Sequence, residues 1–183
     1  MGVSPLPSSP PATDAMASLE IIVFDVCGIA CALHRSAVRE LLPLPRLWRP
    51  PGLPRPVAGF LNLGGQAVPV LSLAVLFGLE ERPSAGEADL YRHLVVLQGR
   101  AAPGVHALLV DRVLDVTAVD ASRLSAVAQA ETLNGCVEAE AAWGGRLVHL
   151  LSAERILMAE EQQALAELGR HAQSRLGEWA VPA

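Results

Sequence analysis

The side chains of this chain that could do chemistry are five histidines, three cysteines and an Asp111/Asp115 pair. His34, His93, His106, His149 and His171 could act as general bases or metal ligands, and Cys27, Cys31 and Cys136 as nucleophiles or soft ligands. Their spacing supports neither role. No histidine has a Cys, Asp or Glu at metal-binding spacing, and neither HExxH nor GxSxG occurs. The glycine-rich pieces LGG and WGGRL lack the Lys-Ser/Thr of a phosphate-cradling loop and the strand-to-helix setting of a dinucleotide site. Asp111 and Asp115 lie four residues apart on one side of a strand-like stretch, where Arg112 and apolar neighbours give no cause for an acid/base pair. Turn capping and surface charge are the plain reading. An odd number of cysteines in strand-like surroundings reads as small buried hydrophobes and a reducing, cytoplasmic setting. The expectation is a protein that is not an enzyme and uses no cofactor and no metal.

The elements that must position these residues are short. The 183 residues are 51% hydrophobic and 18% charged, which suits one compact unit or two small barrels sharing a core. A net charge of −5 with scattered basic residues lacks the footprint of a nucleic-acid binder. The longest apolar runs, LEIIVFDV and HALLV, are too short to span a bilayer, so no membrane insertion is expected. Residues 1–17 are rich in Pro, Ser and Ala, without the charged and apolar regions of a secretory signal, and read as a disordered tail. Nine Val/Ile/Leu-rich runs between turn residues then indicate an all-β protein with short helices. Ser36 can cap a short helix over residues 36–42 that places Val38, Leu41 and Leu42 on one side and stops at Pro43. A second helical turn fits Ser72 to Gly78, and Ser152 can cap a C-terminal helix whose stripe of Leu157, Ala164, Leu165, Leu168 and Ala172 packs back on the strands. Residues 43–56, with six prolines and three arginines, form an extended surface loop, and residues 80–89 a polar one.

The stretch VAGFLNLGGQAVPVLSL, residues 57–73, is the most specific piece. A two-residue turn at Gly64-Gly65 sets Leu63 opposite Gln66, Asn62 opposite Ala67, Leu61 opposite Val68 and Phe60 opposite Pro69. Leu61 and Val68 then face the core. Pro69 has no backbone donor, so its strand should be an edge or a bulge, either an aggregation guard or a margin open to another chain near Gly59.

The order of these segments resembles the CheW-like coupling proteins of bacterial chemosensory systems over roughly residues 19–158. The family hairpin reads approximately G-x-x-N-L-R-G-x-x-x-P-V-x-D-L, matched here by Gly59, Asn62, Leu63, Gly65, Pro69, Val70 and Leu73, and a later G-x-x-V-D-x-V by Val110, Asp111 and Val113. The resemblance implies two small five-stranded SH3-like β-barrels sharing a hydrophobic core, followed by a C-terminal helix. On this division residues 1–17 are tail, 18–160 the CheW-like domain and 161–183 a helical extension. It also implies a scaffold that couples chemoreceptor cytoplasmic tips to the regulatory domain of a CheA-type histidine kinase, in the cytoplasm at membrane-associated receptor arrays. Val38, Glu40, Gly59, Asn62 and Gly64 are then the partner-facing positions, with Gly65 and Pro69 structural. Gly64 departs from the family, which usually carries a receptor-contacting arginine there, and Ser72 and Ala74 replace the charged residues of D-L-R. That leaves a divergent adaptor for another partner, such as a receptor-modifying enzyme or a localisation protein, as the alternative. A hydrolase or small-molecule sensor would instead require a deep polar pocket holding His106 or His149.

Overall fold

The computed structural model describes residues 18–79, 90–99, 103–127 and 135–178. The expected tail at 1–17 and the polar loop at 80–89 lie outside the described residues. Strands β1 (Ser18–Val26), β2 (Ile29–His34), β8 (Arg112–Asp120), β9 (Ser125–Ala126), β10 (Val137–Trp143) and β11 (Arg146–Leu151) form one sheet in the order β8-β1-β2-β11-β10-β9. Strands β3 (Val38–Pro43), β4 (Val57–Leu63), β5 (Gln66–Ser72), β6 (His93–Leu97) and β7 (Ala107–Val110) form the other, in the order β3-β6-β7-β5-β4. Two helices, α1 (Leu73–Leu76) and α2 (Ala159–Glu178), complete the described elements together with short 3-10 turns.

The near-continuous apolar runs of β1, β2, β6 and β7 follow from burial on both faces. Ile22, Phe24, Cys31 and Leu33 of the first sheet pack with Val95, Leu97, Leu108 and Val110 of the second in a common core. The alternate residues Ile21, Val23, Ala30 and Ala32 turn into a private core of the first sheet, and Leu94, Val96, Ala107 and Leu109 into one of the second. The expected shared core is therefore present, but the strand count and closure differ from paired five-stranded barrels. The sheets have six and five strands, and the pairing among the described residues closes neither. Each sheet's two edges are consecutive in sequence and meet through a connection instead of a ladder. The turn Ala121–Arg123 joins β8 to β9, and residues 44–56 join β3 to β4.

The helix expected at Ser36–Leu42 is not formed. Arg35–Ala37 make a single 3-10 turn, and Val38–Pro43 are strand β3, paired with β6 through a bulge between Val38 and Glu40. Seven residues with apolar positions on one side satisfy both periods, and β6, which needs a partner on this edge, decides in favour of the strand. The turn expected after Ser72 is α1, where the amide three residues past the cap, Val75 N–H, donates to Ser72 Oγ at 3.4 Å. The C-terminal helix begins at Ala159 rather than near Ser152. Ile156 and Leu157 are drawn into the common core in a non-helical turn, and the helix is capped where Met158 N–H donates to Glu161 Oε2 at 2.8 Å.

The β4–β5 hairpin has the expected register throughout, Leu63↔Gln66 to Phe60↔Pro69, and its turn residues Gly64 and Gly65 take φ of 59° and 87°. Strand β4, not β5, is the edge. Phe60 exchanges both backbone hydrogen bonds with Trp48, at 2.8 and 2.9 Å, so the Phe60–Pro69 pair is a non-hydrogen-bonded one. The Pro69 nitrogen accordingly points towards β7, where the parallel ladder begins only at Val70. The missing donor falls just before the β7 ladder begins.

The Trp48 bridge also covers the margin beside Gly59. Gly59 has φ of 147°, and a Cβ there would lie 2.8 Å from Trp48 O and 3.0 Å from both Leu47 Cβ and Arg49 Cγ. Gly59→Ala combines backbone strain with a clash against main chain, and should destabilise the fold by about 2 kcal/mol. Chemical denaturation of the two proteins measures this, and an unchanged midpoint would show that residues 47–49 move aside freely.

Candidate docking surface

The structure gives the positions expected to face partners different surroundings. Val38 is buried in the common core, and its carbonyl accepts from Arg35 Nη1 at 2.9 Å and Gln98 Nε2 at 3.3 Å. Its side chain supports the surface from beneath. Glu40, half-exposed on the edge strand β3, has Oε1 at 3.5 Å from Arg39 Nε. Gly59 is buried under residues 47–49. Asn62 is exposed but turned inwards at its tip, where Oδ1 accepts from Gly65 N–H at 2.9 Å and holds the turn. Gly64 faces open space, Gly65 completes the turn, and Pro69 is buried. Glu40 thus stands on the free edge of the second sheet, at the end opposite the hairpin that carries Asn62 and Gly64.

Helix α2 finishes the hairpin. On the N-terminal side of Val70, strand β5 has no β7 partner, so the outward Ala67 N–H would be orphaned. Gln173 Oε1 accepts it at 2.7 Å, while Gln173 Nε2 donates to Gly65 O at 3.0 Å. Leu165 and Leu168 meet the common core, and Ala172 packs with Phe60 and Ala67, so the expected packing of this helix on the strands is observed. Between helix and hairpin lies a mostly apolar groove of about 410 Å³ lined by Trp48, Phe60, Leu61, Ala172, Arg175 and Leu176. Trp48 is 44% exposed, tilts against Phe60 with ring centroids 5.6 Å apart, and carries the Arg175 guanidinium 5.8 Å above its ring. Gln173 escaped the sequence reading because polar residues on a helix have no pattern that marks a strand partner. Trp48 did carry a signal, as a lone aromatic in a proline-rich loop.

The histidines are dispersed. His149 Nδ1 lies 3.0 Å from Glu140 Oε1 across β10 and β11, and His34 Nε2 lies 3.2 Å from Glu138 Oε2. His106, at the start of β7 in the other sheet, is buried beside a cavity of about 200 Å³ shared with Gln98, Glu154 and Gln162. His106 and His149 are therefore apart. Among the described residues no three His, Cys, Asp or Glu side chains are placed to hold a metal ion. Burial, with the Asp25 charge adding to it, pushes the Cys31 thiol up to about 12, and burial also raises Cys136. Both behave as packed hydrophobes, remote from a thiolate nucleophile. No helix among the described residues is long and apolar enough to cross a membrane.

Two curled sheets backed on one core, with a C-terminal helix laid across the second, define a mostly β fold. The model of the CheW-like domain family matches residues 20–161, and the chain belongs to that family. Among solved structures it is similar to the scaffolding protein TtCheW from Thermoanaerobacter tengcongensis, at 19% identity and a TM-score of 0.67, over 80% of this chain and 97% of that one. No functionally curated protein matches. The family is one of chemotaxis scaffolds and adaptors.

Two outcomes follow from this geometry. Gln173→Ala leaves Ala67 N–H without its acceptor and should lower stability by about 1 kcal/mol, with faster amide exchange at Ala67 than elsewhere in β5. Unaltered exchange there would show that the helix does not hold the hairpin. His106 is kept neutral by burial, which lowers its pKa below 6.5 in spite of the hydrogen bond with Gly104 O at 2.8 Å. The unfolded chain binds the proton more readily, so stability falls as pH drops below about 6.5. His106→Asn should flatten that part of the stability–pH curve, and urea titrations from neutral to mildly acidic pH compare the two slopes.

Proposed function

We propose that this chain is a non-catalytic adaptor that couples chemoreceptor cytoplasmic tips to the regulatory domain of a CheA-type histidine kinase, in the cytoplasm at receptor arrays. The observation that carries the reading is family membership across residues 20–161, which includes both sheets and the start of α2. The described surface is consistent with it. Strand β3 offers a free edge with Glu40 to a partner that adds a strand or packs a flat face, and the Trp48 groove offers an apolar seat. The buried histidine and the high-pKa thiol are suited to packing.

A second reading keeps the fold and changes the partner to a receptor-modifying enzyme or localisation protein. It draws on the hairpin. Gly64 sits at φ of 59° in a tight turn, in place of the family arginine, and Gln173 of α2 occupies the neighbouring backbone. Loss of an interface arginine commonly costs about 2 kcal/mol, a roughly thirtyfold weakening of receptor binding.

Titration of the full chain with a kinase regulatory domain and, separately, with a receptor-tip fragment tests both. The coupling reading expects saturable binding to each. Kinase binding alone, with receptor binding gained in Gly64→Arg, selects the divergent adaptor, and no binding to either overturns the coupling role.

A further inference from the structure

Helix α2 walls the Trp48 groove with one stripe of side chains. Leu165 and Leu168 meet the common core, Ala172 packs with Phe60 and Ala67, and Arg175 and Leu176 line the groove beyond them. These positions follow the three- and four-residue steps that keep side chains on one helix face. The next position in the series is Trp179, seven residues after Ala172 and three after Leu176. The described helix stops at Glu178, one residue short of it.

Residues 179–183 read Trp-Ala-Val-Pro-Ala and contain no charged side chain, whereas the helix before them carries Glu160, Glu161, Glu167, Arg170, Arg175 and Glu178. Val181 precedes a proline, which disfavours helical backbone at that point and turns the chain off the helix path. Covalent reach alone keeps the indole near the groove. Three residues span roughly 11 Å at full extension, so Trp179 stays close to Leu176 whatever its backbone does. The groove also suits an aromatic ring. Trp48 and Phe60 stand with centroids 5.6 Å apart, Arg175 lies over one side of the Trp48 ring, and Leu61 and Leu176 supply aliphatic wall. A further indole there gains edge or offset contacts with both rings and takes a large apolar area out of water.

We propose that the Trp48 groove is the seat of the chain's own C-terminal segment, residues 179–183, with the Trp179 indole against Trp48 and Phe60, so that an external apolar partner gains the groove only by displacing it. A short tether holds the segment at an effective concentration of about millimolar or above, which a partner or a second copy has to outcompete. This occupancy does not depend on which partner the adaptor couples, and its failure leaves the coupling reading untouched.

Nuclear Overhauser spectroscopy of the full chain tests the seating directly. Contacts between the Trp179 ring and the rings of Trp48 and Phe60 are expected, and they should persist unchanged on dilution. The dye 8-anilinonaphthalene-1-sulfonate, apolar with one negative charge, then probes access to the groove and its Arg175 rim. Trp179→Ser should bind the dye about threefold or more tightly than the unaltered chain, and Val181→Ser should shift it in the same direction. Leu147→Ser, at an exposed position of the first sheet, should leave dye binding unchanged. The two segment substitutions lie beyond the last described element, and circular dichroism confirms that each variant is folded. Absence of contacts from Trp179 to Trp48 and Phe60, contacts that vanish on dilution and so come from a second copy, or unaltered dye affinity in Trp179→Ser would overturn the proposal.

Discussion

The apolar layer between the two sheets is the constraint on which the rest depends. Phe24, Leu33 and Leu151 from one sheet and Val95, Leu108 and Val110 from the other are almost fully excluded from water. Burying a side chain of this size is worth about 1.5–3 kcal/mol, so the layer ties the two sheets together far more firmly than any polar contact at their margins. Because each sheet also curls over a private core, both faces of β2, β6 and β7 are largely buried. Strand edges, turns, connections and the C-terminal helix form the margins around them.

Those margins are differently finished. The β4 edge is bridged by Trp48, and the unpaired half of β5 is served by Gln173 of α2 and by a proline that needs no acceptor. The β3 edge has no such cover among the described residues, and Glu40 lies on it. This asymmetry separates a sealed end of the second sheet from an open one. It follows from the chain itself, because the connection 44–56 must travel from one edge to the other and lies across β4 on arrival.

What the sequence disclosed reflects where local chemistry decides structure. The hairpin was legible residue by residue because Gly64-Gly65 permits only a tight turn with positive φ, and alternation then fixes the register. The shared core was legible from two-sided apolar runs. The strand at Val38–Pro43 was read as a helix because seven residues fit either period, and only the edge of β6, more than fifty positions away, settles it. Sheet closure was misjudged for a similar reason, since two-residue β9 and the bridge at Trp48 replace ladders that no local pattern forbids. Within the hairpin that the family motif marks, whether a position is surface or support depends on tertiary cover. Val38 and Gly59 lie beneath other residues, whereas Glu40, Asn62 and Gly64 do not.

The proline-rich connection unites these points. A flexible loop of this length carrying three arginines would spread its charge into solvent, where screening makes it weak beyond about 10 Å. Here the prolines and the bridges to Phe60, Val57 and Ser72 hold the backbone, so Trp48 is directed to the hairpin groove while Arg49 and Arg55 line a cavity beside β6 and β7. One connection therefore seals an edge and walls an apolar seat.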